Sequence, residues 1–258
     1  MATNAKNLAE LLNTDTTVKV GDIEDGSVTT AKLAASAVTT AKVADNAVTS
    51  AKLYASNVGR RNMIINGDMR IAQRGDAHTN VGSSANTYTL DRWKLYVQNS
   101  SARFQIERNY DHSLPDGFLT SMRISCTTTD TSLAATDEVY LQQSLEGNDV
   151  FEFAKGTPSA KQYTLSFYAR SDKTGTYILE LWDNVSNRHV SATYTISSAD
   201  TWEQKIITYP ADTGGSAYDS TNANTAAIEF NWWLAAGSNF TSGSLATTCT
   251  GNSDTQRV

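Results

Sequence analysis

The chain has 258 residues, 40% of them hydrophobic and 19% charged, with a formal net charge of −6. That length allows one sizeable domain plus accessory segments. The acidic balance argues against a nucleic-acid binder, which needs clustered Lys and Arg. No apolar run approaches the roughly 20 residues of a membrane span, and the amino terminus lacks the basic-then-apolar order of a secretory signal.

Residues 1–17 hold a short amphipathic piece, with Leu8, Leu11 and Leu12 at helical spacing and Asn7 placed to cap towards Glu10. At about two turns it is too short to be stable alone in water, so its leucines need cover from sister chains or another protein. A docking peptide is one reading, a frayed terminus the other. From 18 to 58 a repeat takes over. Every fifth residue is aliphatic: Val18, Ile23, Val28, Leu33, Val38, Val43, Val48, Leu53 and Val58, and between Gly26 and Val58 no other Val, Ile or Leu occurs. The unit doubles to ten residues in SVTTAKLAAS, AVTTAKVADN and AVTSAKLYAS. A period of five matches neither the roughly 3.6 of a helix face nor the period of two of a strand face. A solenoid that turns a corner every five residues would satisfy it. So would a stalk in which several chains each supply one aliphatic per layer to a shared axis. Nine aliphatics in about forty residues make no free-standing core, which favours the shared axis, taken as a trimer. The third reading is a disordered Ala/Thr/Lys linker, and the strict phase argues against it.

After Val58 the texture changes, with GRRNMIINGDMRIAQRG from Gly59 to Gly75 and YTLDRW from Tyr88 to Trp93. In their order NAKNLAELLNTDT, the VTTAKLAD-type repeats and the 59–93 strings resemble the tail-fibre and virion-fibre proteins of tailed bacteriophages, those of marine phages in particular. The resemblance implies a virion location, an N-terminal attachment to tail or capsid proteins, and a host-surface role.

From about residue 100 onward the pattern is all-β. Period-two alternation runs through 104–106, 138–145, 163–170, 177–181, 202–209 and 228–234. Leu114-Pro115-Asp116-Gly117, Lys155-Gly156-Thr157-Pro158, Lys173-Thr174-Gly175 and Asp212-Thr213-Gly214-Gly215 separate the runs with turn chemistry. The expectation is a mainly β chain whose residues 59–258 form a two-sheet sandwich. Asn66-Gly67-Asp68-Met69, Trp93, KQYTLSFYARS at 161–171 and the stretch 199–207 are similar to the galactose-binding-like jelly rolls found as carbohydrate-binding modules. Those modules end in a closing strand, and nothing after Trp233 supplies one: the chain runs out in the polar stretch 241–258. The alternatives are a truncated sequence, an irregular last strand, or one donated from elsewhere, and the expectation is an open sandwich with 227–234 as its exposed strand.

Chemistry is sparse. His78, His112 and His189 are scattered in polar surroundings with no second ligand at metal spacing, and no nucleophile, phosphate-loop or dinucleotide motif occurs. No metal, cofactor or catalytic set is expected. Cys126 and Cys249 lack ligand or CxxC spacing and are expected as free, largely buried thiols. Acidic pairs such as Asp137 with Glu138, or Glu180 with Asp183, offer glycosidase-like carboxylates only in name. Aromatics are the better lead, because sugar rings stack on flat aromatic faces. The candidates are Tyr168, Trp182, and one of Trp232 and Trp233, adjacent residues that face opposite ways on a strand. Against this stands burial of both faces, by the second sheet on one side and a neighbouring subunit on the other. Together with the resemblance to phage fibres, these residues point to a homotrimeric tail fibre that presents its β-domain for host-surface adhesion, with or without a glycan as the partner, and inserts in no membrane. A capsid-attached decoration fibre, or the binding module of a carbohydrate-active enzyme, are its alternatives.

Overall fold

The computed structural model describes residues 62–83, 85–110, 113–218, 224–251 and 253–258, together with Val28, Thr29, Leu33 and Ala37. The chain divides into two compact units, Met1–Arg61 and Asn62–Val258. The docking leucines Leu8, Leu11 and Leu12 lie outside the described residues, as do Val18, Ile23, Val38, Val43, Val48, Leu53 and Val58. Of the repeat, Val28 and Leu33 are described, and both are exposed.

The second unit opens on the two strings singled out above, and they meet in space. Asn66 adopts a left-handed φ of 55° in the turn 65–68, which Asn tolerates better than most side chains. Its amide donates to the carbonyls of Ile71 and Asp91 (3.0 Å each) and its Oδ1 accepts from Ile71 N (2.9 Å). Its own carbonyl accepts from the indole Nε1 of Trp93 at 2.9 Å. The ring of Trp93 is buried (4% exposed) against Trp232, centroids 5.4 Å apart. The Asn-Gly-Asp turn thus satisfies the polar end of a core tryptophan.

Twelve strands follow among the described residues, all antiparallel where they pair. They are β1 (Ala77–Val81), β2 (Ala85–Tyr88), β3 (Trp93–Gln98), β4 (Arg103–Asn109), β5 (Ser121–Thr128) and β6 (Glu138–Glu146). Then come β7 (Tyr163–Ala169), β8 (Gly175–Asp183), β9 (Arg188–Ile196), β10 (Glu203–Tyr209), β11 (Ala226–Ala236) and β12 (Thr250–Gly251). One layer is a seven-stranded sheet in the order β12-β9-β8-β11-β6-β3-β2. Opposite it lie a three-stranded sheet, β1-β4-β5, and a two-stranded sheet, β10-β7. The mainly β, sandwich-like fold expected from the alternation is present.

The inner face of the large sheet carries Trp93, Leu145, Leu179, Leu181, Val190, Ile228, Phe230 and Trp232, which pack against Tyr163, Leu165, Ile207 and Tyr209 of the two-stranded sheet. Leu95, Val97 and Val139 pack against Val81, Phe104 and Ile106 of the three-stranded one. Each such side chain, once buried, contributes roughly 1.5–3 kcal/mol of transfer free energy.

Two expectations are corrected here. Strand β11 is no exposed edge: it lies in the middle of the large sheet, paired to β6 on one side and β8 on the other. Nor is the sandwich open at its end. Segment 237–258 folds back over the outer face of the large sheet, where Phe240 is buried with Tyr140 and Trp233. Its residues 250–251 form β12 along β9, and Ser191 N donates to Ala246 O at 2.7 Å. The fold-back begins at Gly237, where an added Cβ would lie 2.1 Å from the Ala134 carbonyl oxygen. Only glycine fits that approach. A closing element exists, and it is irregular, so it has no period to read.

Candidate functional site

The outer face of the large sheet is built around a carboxylate. Glu180 on β8 is fully buried (0% exposed) and accepts from four directions. Arg257 Nε donates to its Oε1 at 2.7 Å, and Arg257 Nη2, Asn231 Nδ2 and Trp233 Nε1 donate to its Oε2 at 3.0, 3.0 and 3.1 Å. The guanidinium carbon of Arg257 sits 4.7 Å from the Trp182 ring centre, 5.1 Å from Trp233 and 5.7 Å from Phe240. Burial works against the Arg257 charge, but the hydrogen bonds and charge of Glu180 outweigh it and hold the guanidinium above its ordinary range. This is a closed lock with no room for a sugar.

Three of the four proposed stacking residues are accounted for by these contacts. Trp232 points inward and Trp233 outward, as adjacent residues must, yet both are buried, at 8% and 3% exposure. The expectation that one of them is free is corrected: the outer one is covered by the chain's own segment 237–258. Trp182 is half-buried; its ring carries Arg257 and stacks near-parallel with His189, centroids 6.0 Å apart. His189 itself is buried, and burial lowers its pKa.

Tyr168 is the exception. It lies on the outer face of the two-stranded sheet, where the register places Thr164, Ser166 and Tyr168 of β7 beside Thr208, Ile206 and Gln204 of β10. All six are exposed. The Tyr168 ring meets Phe118 edge to face, centroids 5.5 Å apart at 67°, and each is 38% exposed. Phe118 was not singled out from the sequence. Its signal is an aromatic directly after a Pro-Asp-Gly turn, in which Gly117 takes a φ of 90° and Phe118 N donates to Pro115 O. Exposed Ile206 (66%) lies diagonally across the ladder from Tyr168. Nearby, Arg170 donates to Ser113 Oγ at 2.9 Å. The result is an apolar platform rimmed by hydroxyls and an amide, a surface that can stack on the C–H face of a ring while bonding its hydroxyls.

The acidic pairs are engaged elsewhere. Asp137 caps the turn at Ala134 N (2.8 Å), Glu138 lies 3.8 Å from Arg257, and Asp183 is paired with Lys155. Among the described residues no group of three or more His, Cys, Asp or Glu could hold a metal ion, and no helix is long and apolar enough to cross a membrane. Cys126 is exposed, contrary to expectation; Cys249 is half-buried, and burial pushes its thiol up to about 11.

Among the described residues, the fold and surface define a two-layer antiparallel β-sandwich with an exposed aromatic platform at Phe118 and Tyr168. No family model matches the chain, and no curated protein matches it. Among solved structures it is similar to the enzymatically active domain of tailspike protein 4 of bacteriophage CBA120. The identity is 17%, over 68% of this chain and 20% of that one, with a TM-score of 0.39. The chain thus spans one-fifth of that protein's length, and a likeness this distant does not bear on function.

Proposed function

We propose that the chain is a structural fibre protein of a tailed-phage virion. In this reading residues 1–17 attach to the particle, 18–58 trimerise as a stem, and the β-domain presents an adhesive face to a host-surface glycan. The stem and anchor rest on the aliphatic phase from Val18 to Val58, the Leu8, Leu11 and Leu12 stripe, and the resemblance of those segments to phage fibre proteins. The observation that carries the adhesive role is the exposed Phe118–Tyr168 pair on a sheet face whose residues stay exposed among the described residues, while Trp93, Trp232 and Trp233 are all covered. Chemistry is not required of it. Trimerisation would set three weak platforms side by side, and linked binding raises avidity without new contacts.

A glycan array probed with residues 1–258 tests this. A hit lost in both Tyr168→Ala and Phe118→Ala, with the melting temperature kept, supports the platform. Binding that survives both substitutions removes Tyr168 from the role.

A further inference from the structure

A second buried ion pair sits at the last residue of β8, three positions beyond Glu180, and its geometry is that of two reactants. Lys155 lies two residues past the 3-10 turn Phe151–Phe153, and Asp183 is the last residue of β8. Their side chains are 2% and 5% exposed, and Lys155 Nζ contacts Asp183 Oδ2. The two carboxylate oxygens have different surroundings. Oδ1 accepts from Val185 N at 3.0 Å and Ser186 N at 3.4 Å, with the Tyr218 hydroxyl at 3.4 Å; Oδ2 faces the amine. Lys155 Nζ also lies 2.6 Å from Ser186 Oγ and 3.1 Å from Ser216 O. Tyr163, Leu181, Val190, Pro210, Tyr218 and Cys249 wall the pair in, around a cavity of about 10 Å³, the size of one water. Arg188 and Asp212 line the same cavity but are closed on each other by two 2.8 Å hydrogen bonds.

A buried ion pair is commonly no more stabilising than a well-packed apolar pair of the same volume, so stability alone is a poor reason to bury this one. We propose that Lys155 and Asp183 condense to an intramolecular amide, an isopeptide crosslink between Nζ and Cγ. Within the pair one proton passes from Nζ to Oδ2, giving a neutral amine and a carboxylic acid. The Nζ lone pair then adds to Cγ. The negative charge developing on Oδ1 falls on the Val185 and Ser186 N–H groups and the Tyr218 hydroxyl, an oxyanion hole already in place. A second proton leaves Nζ through Ser186 Oγ to Oδ2. The Cγ–Oδ2 bond breaks, water departs, and the amide keeps one N–H and Oδ1 as its carbonyl. No oxidant or co-reactant is needed. Holding both groups in contact supplies the effective concentration that the uncatalysed condensation lacks.

Intact-mass analysis of residues 1–258, followed by tryptic mapping, decides the question. The expected result is a mass one water below that of the sequence, no cleavage after Lys155, and a branched peptide joining the segments that carry Lys155 and Asp183. Lys155→Arg should restore the full sequence mass, and Asp183→Asn should lose ammonia in place of water. These readouts do not depend on the variants' stability. The full sequence mass in the parent chain, or a water loss mapped to a residue other than these two, overturns the proposal.

Discussion

Replacing Arg257 by Ala tests whether segment 237–258 is part of the folded domain or merely lies on it. The Arg257 side chain is 11% exposed and that of Glu180 is 0% exposed, so removing the guanidinium leaves a carboxylate in the sheet with only Asn231 and Trp233 as donors. Breaking a buried pair from one side typically costs about 3–5 kcal/mol. The lost stacking on Trp182, Trp233 and Phe240 adds to this, at about 0.5–2 kcal/mol for a desolvated cation over aromatic rings. For a domain of this size each kcal/mol lowers Tm by about 2–4 °C, so a fall of about 10 °C or more is expected. Thermal unfolding followed by tryptophan fluorescence is a suitable assay, since two of the reporting rings line the lock. Pairing Arg257→Met with Glu180→Gln should recover most of the loss, because the uncompensated charge is gone and the amide oxygen still accepts from Asn231 and Trp233. A single Arg257→Ala variant that melts with the parent would show that the lock contributes nothing.

Three further outcomes follow from the same structure. Trp93→Ala removes a buried ring and its bond to the Asn66 carbonyl, and should cost about 3–5 kcal/mol in denaturant unfolding; an unchanged midpoint would detach the Asn-Gly-Asp turn from the core. Unfolded, His189 takes up a proton near pH 6.5, whereas in the fold burial keeps it neutral to lower pH. The unfolded state therefore binds the extra proton first, and stability is kept above about pH 6.5 and falls below it. Unfolding midpoints measured from pH 7.5 to 5 should show a shallower slope for His189→Gln than for the parent. Because segment 237–258 covers the outer face, residues 62–258 expressed alone should be soluble and melt in one sharp transition; aggregation on purification would contradict that closure.

What the sequence made legible was whatever repeats. Period-two alternation marked β4, β6, β7, β8, β10 and β11 but none of β1, β2, β5, β9 and β12, and Asn66-Gly67 marked the opening turn. What it hid was held by single residues. Strand β11 reads AAIEFNWWLAA, with Phe230 and Trp232 buried on one face and Asn231 and Trp233 on the other; such two-sided burial belongs to a central strand, but Glu229 and Asn231 on the outer face read as polar and exposed. The cover comes from Phe240 and Arg257 in a segment with no period, and Arg257 meets a glutamate 77 positions away. The same reason hid the pairing of Lys155 with Asp183, since in the sequence Lys155 is part of a turn and Asp183 half of an acidic pair with Glu180. Tyr168 could be picked out because its phase opposes that of Leu165, but Phe118, its partner in the platform, sits in a loop where phase has no meaning.

The central claim is a place on the particle, and the most direct measurement is immunogold labelling of purified virions with an antibody to residues 62–258, imaged in negative stain. The account predicts gold at the tail, on fibres that project from it. Virions that carry no label, while the antibody detects the chain in the infected-cell lysate, would contradict it.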